Sequence, residues 1–176
     1  MKPDETAALV EEAKKGDKFA FGRLYKEFMP RIYRYVLYLV SDIQRAEDLT
    51  QETFLKAWKF LPKFSNKKGT FQAFLYRIAR NLVIDYQRKI KAVPLGIEFT
   101  KKLTSKENLE KSYERHERMA ELKKAMSKLP VLDRELIVLR YFEELSFSEI
   151  AKTVKKKEGA IRVRVHRALS ILKENI

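Results

Sequence analysis

Cysteine is absent from the 176-residue chain, and histidine occurs only twice, at His116 and His166, fifty residues apart. The first absence excludes a disulfide framework and any thiolate metal site. The second argues against a histidine metal centre or a histidine-based catalytic dyad, so no metal is expected. Glycine and proline are scarce at five each, whereas 45% of the residues are hydrophobic and eleven Phe and eight Tyr supply core material. Little is available for turns and much for packing, which points to an all-α protein. No run approaches the ~20 apolar residues of a bilayer span. The opening Met1-Lys2-Pro3-Asp4-Glu5 carries acids where a secretion signal carries bases, so neither export nor insertion is expected and the compartment expected is the cytoplasm. Catalytic signatures are missing too: there is no Gly-rich phosphate loop, no Gly-x-Ser-x-Gly, no His-Glu-x-x-His and no carboxylate cluster forced together by spacing. Neither an enzyme nor a cofactor is expected.

What the chain has in excess is positive charge, 38 Lys and Arg against 24 Asp and Glu, a formal charge of +14. Such a surplus favours a polyanionic partner. It is unevenly spread: residues 1–91 carry 19 bases and 11 acids, residues 92–121 six of each, and residues 122–176 thirteen and seven. The neutral middle opens with Val93-Pro94-Leu95-Gly96, continues through Thr104-Ser105-Lys106-Glu107-Asn108, and lacks an apolar period until about Leu122. It reads as a linker over 92–118 between two small helical domains, 1–91 and 119–176. With roughly 90 and 55 residues, each is near the lower size limit for independent folding, so helix packing has to supply the stability.

Helix punctuation is explicit. Gly16 then Asp17 ends one helix and caps the next, along which Phe21, Leu24, Tyr25, Phe28, Ile32, Val36 and Leu39 recur at three- or four-residue spacing, with an interruption or bend expected near Pro30. Ile43, Ala46, Leu49, Thr53, Ala57 and Leu61 form a second inward stripe that Pro62 ends, leaving Asp48, Gln51, Glu52 and Lys59 on the other face. Thr70 can cap a third helix with Phe71, Phe74, Leu75, Ile78, Ala79, Leu82 and Tyr86 inward and Tyr76, Arg80, Asn81 and Arg88 outward. In the second lobe Leu122, Ala125, Met126 and Leu129 run up to Pro130, and Asp133 can cap a helix carrying Leu136, Ile137, Leu139 and Arg140. Ser146-Phe147-Ser148-Glu149 fits a capping box, predicting a short helix to Val154. After Lys155-Lys156-Lys157, Ile161, Val165, Ala168 or Leu169, and Leu172 return at helical spacing. Residues 161–165 alternate like a strand, but the longer helical period wins.

Three surfaces then carry possible chemistry, each with a plainer alternative. Residues 146–172 look like a helix-turn-helix, with six bases and one acid between Lys155 and Arg167 where a recognition helix meets DNA. The alternative is a solvated basic helix. Aromatic, Arg and Asn side chains on the Thr70 helix suit unpaired bases, or Tyr76 is half-buried and the arginines only solvate the surface. Asp48, Gln51 and Glu52 could dock on a basic protein surface, or could offset the helix macrodipole. His116 and His166 read as surface or phosphate-contact residues.

Residue order adds more. Ala46-Glu47-Asp48-Leu49-Thr50-Gln51-Glu52-Thr53-Phe54 with Trp58, then Phe74-Leu75-Tyr76-Arg77-Ile78-Ala79-Arg80-Asn81-Leu82-Val83-Ile84-Asp85, closely resembles domain two of bacterial sigma factors of the extracytoplasmic-function (ECF) type. Leu129-Pro130, Asp133-Arg134-Glu135, Tyr141-Phe142-Glu143-Glu144-Leu145-Ser146, Glu149-Ile150-Ala151 and the run Gly159-Ala160-Ile161-Arg162-Val163-Arg164-Val165-His166-Arg167-Ala168 resemble domain four of the same family. The resemblance implies a dissociable, non-catalytic initiation subunit that directs RNA polymerase to promoter DNA and helps open it. It implies that Asp48, Leu49, Gln51 and Glu52 bind the clamp helices of the largest polymerase subunit, while domain four meets the flap of the second-largest. The segment 64–71 and its helix, with Phe64, Asn66, Lys67, Phe71, Tyr76, Arg77, Arg80 and Asn81, would take the minus-ten element with one base flipped out. Lys157, Gly159, Arg162, Val163, Arg164, His166 and Arg167 would read the minus-thirty-five element in the major groove. Ala160 and Val163 stand where the family often has Thr and Ser, which removes a hydroxyl contact and leaves Val163 either to touch a thymine methyl or to pack inward. The linker would cross the polymerase near its RNA exit path, unordered until bound. A cognate anti-sigma factor, often attached to the membrane, is the further partner implied. Two other readings of the same residues are a stand-alone helix-turn-helix regulator and a single-stranded RNA binder.

Overall fold

The computed structural model describes residues 3–40, 42–66, 69–92, 125–126 and 128–175. Of the expected linker, 92–118, Ala92 is helical, and the rest, with the expected core residue Leu122, lies outside them. The chain divides into two compact units, residues 1–101 and 102–176. Every described element is helical, as expected for an all-α chain.

The first unit holds α1 (Pro3–Lys14), α2 (Lys18–Val40), α3 (Ile43–Phe60) and α4 (Phe71–Ala92). Gly16 takes φ +98°, a conformation that favours glycine, and the Asp17 carboxylate accepts the N–H groups of Phe19 and Ala20 at 2.8 and 3.1 Å. The junction predicted from Gly16-Asp17 therefore forms. At Pro30, by contrast, α2 continues without interruption. The carbonyl deprived of a donor belongs to Lys26, and both residues are exposed, so water can take the lost bond. Asp42 caps α3 by accepting the Arg45 N–H at 2.9 Å. Ala46, Leu49, Thr53 and Ala57 are buried as the stripe requires, while Ile43 is exposed, being the first residue of the helix and a turn ahead of the packed section.

Packing of α2 against α3 and α4 is largely aromatic. Tyr25 meets Phe54 and Phe21 meets Trp58 edge-on at 4.7 and 4.8 Å; Phe28, Phe64, Phe71 and Phe74 form a chain of rings 5.0–6.0 Å apart. Each such pair contributes about 0.5–1.5 kcal/mol beyond area burial. A 3-10 turn, Leu61–Lys63, brings Phe64 back over the start of α4, where the Thr70 hydroxyl accepts the Ala73 N–H at 3.2 Å.

The second unit holds α5 (Val131–Ile137), a π-helical turn (Val138–Phe142), α6 (Phe147–Val154) and α7 (Glu158–Lys173). Asp133 does not cap α5. That helix starts after Pro130, which places Asp133 inside the first turn, and its carboxylate accepts from Arg164 Nε at 2.6 Å. The predicted capping box is present: the Ser146 hydroxyl accepts the Glu149 N–H at 3.2 Å and Glu149 accepts the Ser146 N–H at 2.9 Å. Lys155, at φ +55°, turns the chain into α7, whose Ile161, Val165, Ala168 and Leu172 are buried. The segment 161–165 is helix, as its longer period indicates.

Candidate nucleic-acid interface

Three helix faces concentrate the candidate residues, two in the first unit and one in the second. On α3, Asp48, Gln51 and Glu52 are exposed on one stripe. Their charges are loosely balanced within the helix, Asp48 by Arg45 at 3.6 Å and Glu52 by Lys56 at 3.0 Å. Such solvent-exposed pairs hold little energy and yield readily to an external partner. Leu49 is buried, as the inward stripe it shares with Ala46 and Thr53 requires, and is the one member of the resemblance's docking set that is not exposed. A residue absent from the expected set is exposed beside the others. Leu55 is 70% exposed and, three residues after Glu52 and seven after Asp48, continues the same stripe toward Lys59. An apolar residue on the polar side of an otherwise regular pattern was the available signal.

On α4 the expected outward face is displaced. Tyr76 is completely buried, packed edge-on against Tyr35 with ring centroids 5.0 Å apart. Phe64 and Phe71 are likewise buried in the ring cluster with Phe74. None of the three rings is presented for stacking on a base; they build the floor on which the polar residues stand. The exposed stripe is instead Arg77, Asn81, Asp85 and Arg88, at helical spacing, with Arg80 half-buried beside it. The Arg77 guanidinium lies 5.8 Å from the Phe74 ring centroid. Asn66 is exposed just before α4, and Lys67 lies outside the described residues.

In the second unit, α6, the turn at Lys155 and α7 form a helix-turn-helix. The buried stripe of α7 turns Gly159, Arg162, Val163, His166 and Arg167 to solvent, with Lys157 exposed at its N-cap. Ala160 is exposed and Val163 is 50% exposed, so Val163 does not pack inward. A Cβ built on Gly159 would meet nothing within 4 Å, so packing inside the unit does not demand glycine there. Arg164 differs from its neighbours. It borders the buried stripe and its Nε is committed to Asp133 on α5, with both side chains partly shielded. Arg164 therefore joins α7 to α5 through its Nε and stands half-buried at the border of the outward row. Among the described residues no group of three or more His, Asp or Glu could hold a metal ion, and no helix is long and apolar enough to cross a membrane.

Comparison with known proteins gives two family matches: Sigma-70 region 2 over residues 24–93 and Sigma-70, region 4 over residues 119–172. The ECF RNA polymerase sigma factor BldN of Streptomyces coelicolor is 34% identical over 173 residues, covering 93% of this chain, which spans 63% of BldN. The ECF RNA polymerase sigma factor SigW of Bacillus subtilis is 30% identical over 178 residues, covering 95% of this chain and 94% of SigW. Among solved structures, the sigma factor RpoE of Bartonella quintana, in complex with the anti-sigma factor NepR, superposes with a TM-score of 0.69 at 26% identity, covering 88% of this chain and 94% of that one.

Proposed function

The chain belongs to the sigma-70 family of RNA polymerase sigma factors, in its ECF branch, and from that premise we propose how its described faces divide the work of initiation. A sigma factor is a transcription initiation factor and not itself the catalyst: it directs polymerase to promoters. Here the α3 face docks on the core enzyme. Carboxylates of Asp48 and Glu52 pair with basic groups of the clamp helices in the largest subunit, the Gln51 amide hydrogen-bonds backbone groups, and Leu55 supplies an apolar contact on the same stripe.

The exposed row of α7 enters the major groove at the minus-thirty-five element. Arg162 and Arg167 are suited to guanine, each good bidentate contact being worth about 1–3 kcal/mol of discrimination. Val163 faces the groove, where a thymine methyl is its natural contact. Lys157, His166 and the N-terminal amides of α7 meet phosphates. On the first unit, Asn66, Arg77, Arg80 and Asn81 hold the minus-ten element once its strands part, Asn81 bonding the edge of a flipped base and the arginines its phosphates. The observation that carries this reading is the α7 row set opposite a fully buried stripe behind a capped helix and a tight turn. The second unit meets the flap of the second-largest subunit, and a cognate anti-sigma factor, the class of partner that RpoE has in its complex with NepR, covers the same docking faces in the resting state. The site of action is the bacterial cytoplasm, with attachment to the membrane only through such an inhibitor.

Replacing Asn81 by Ala leaves recruitment of holoenzyme to duplex promoter within about twofold and slows strand opening about 5–30-fold, the range of a hydrogen bond or two to a base edge. Permanganate reactivity of non-template thymines reports the second quantity and duplex binding the first. If both fall together, or opening is unchanged, Asn81 does not read the opened strand.

A further inference from the structure

The Phe147 ring lies where three elements of the second unit meet. It is the first residue of α6; the Arg140 guanidinium from the π-helical turn stands 4.8 Å from its centroid, and the Arg162 guanidinium from α7 stands 4.7 Å from it. Arg140 is anchored in turn, its Nη1 donating to the Leu145 carbonyl at 2.9 Å. Arg162 is also held from a second direction. One oxygen of Glu158, a turn earlier on α7, accepts from Arg162 Nη2 at 2.6 Å and from Nε at 3.2 Å.

A guanidinium carries five N–H bonds in one rigid plane. A single carboxylate oxygen that accepts from both Nε and Nη2 occupies the side edge of that plane. The end-on edge, made of Nη1 and the outer N–H of Nη2, is left facing away from the carboxylate, and it is a fork able to meet guanine O6 and N7 together. An unrestrained arginine on a helix surface samples many rotamers, and losing them on binding opposes association. Here the ring on one side and the carboxylate at the side edge together narrow the orientations of the guanidinium before any DNA arrives.

Resting on the assignment of α7 to the minus-thirty-five element, we propose that Phe147 and Glu158 are positioning residues that preset the Arg162 guanidinium for one guanine of that element. Phe147 acts through Arg162 and not on the DNA. The ring contact has the range of an exposed to partly desolvated cation–π interaction, which sets the size of the effect.

The test uses holoenzyme reconstituted from the full chain and core RNA polymerase. The wild-type form first selects promoters from a duplex library randomised across the upstream element, and variants are then compared on the selected promoter and on its single-base changes. Phe147→Leu lowers affinity about 3–10-fold and flattens the preference at one base pair. Phe147→Tyr, which keeps a ring, restores both, and in an Arg162→Ala background Phe147→Leu adds no further loss. Glu158→Gln flattens the same base pair and serves if the Leu variant folds poorly, as judged by its thermal transition. No effect of Phe147→Leu, an equal loss with and without Arg162, or a loss spread evenly over all positions overturns the positioning role and leaves α7 as the reading helix. If Arg162→Ala alone leaves affinity and base preference intact, the assignment of α7 itself is what fails.

Discussion

Tyr76→Ala destabilises the first unit by about 3–5 kcal/mol, the cost of emptying a large fully buried aromatic site. The ring has no exposed surface and stands edge-on to Tyr35 from α2, so its removal opens a cavity between α2 and α4 at the centre of the unit. Tyr76→Phe keeps the ring and costs about 1 kcal/mol, the typical worth of a hydroxyl's hydrogen bonding. Urea unfolding followed by far-UV circular dichroism measures both. Promoter opening by the Ala variant is lost as a consequence of unfolding, and is regained on cooling in step with helicity. If Tyr76→Ala leaves the unfolding midpoint unchanged and removes only opening, the ring faces DNA and does not pack against Tyr35.

The second large effect is on partner association. Asp48→Arg combined with Gln51→Arg weakens binding to core RNA polymerase at least about 100-fold, because a docking face that offers carboxylate and amide acceptors then presents two cations to a basic surface. Both side chains are exposed, so the thermal transition of the variant stays within a few degrees of the parent. Leu55→Ala, on the same stripe, adds about a tenfold loss of its own, in keeping with an apolar contact that becomes desolvated on docking. Titration of labelled protein with core enzyme checks all three variants. Undiminished association of the double variant places the docking face elsewhere.

These two outcomes separate what periodicity could reveal from what it could not. Helix ends were legible because caps are local chemistry: Gly16-Asp17, Thr70 and the Ser146–Glu149 box each satisfy backbone groups within a few residues. The row on α7 was legible for a related reason, since Ile161, Val165, Ala168 and Leu172 bury one side and fix the other. The α4 face was not. A single periodic stripe assumes a helix covered on one side, whereas α4 is covered by α2 and α3 and again by the segment that returns Phe64 over its start, so Tyr76 and Phe71 are both enclosed. Asp133 and Arg164, 31 residues apart, pair across α5 and α7, and such a long-range contact leaves no periodic trace. It removes a cap from one helix and ties the Nε of one base in the expected recognition row to α5. Leu49 was claimed both by the inward stripe and by the resemblance's docking set, and the helical phase decides for the stripe, while the same phase leaves Leu55 exposed.

The central claim is that the two units work as parts of one initiation complex and not as an independent DNA-binding protein. Run-off transcription, with core enzyme and a pooled promoter library at physiological salt, measures this most directly. The account predicts discrete transcripts from a subset of promoters when the chain and core enzyme are combined, and neither promoter-specific binding nor strand opening by the chain alone. Tight binding of the isolated chain to a palindromic site, or no association with core enzyme, would contradict it.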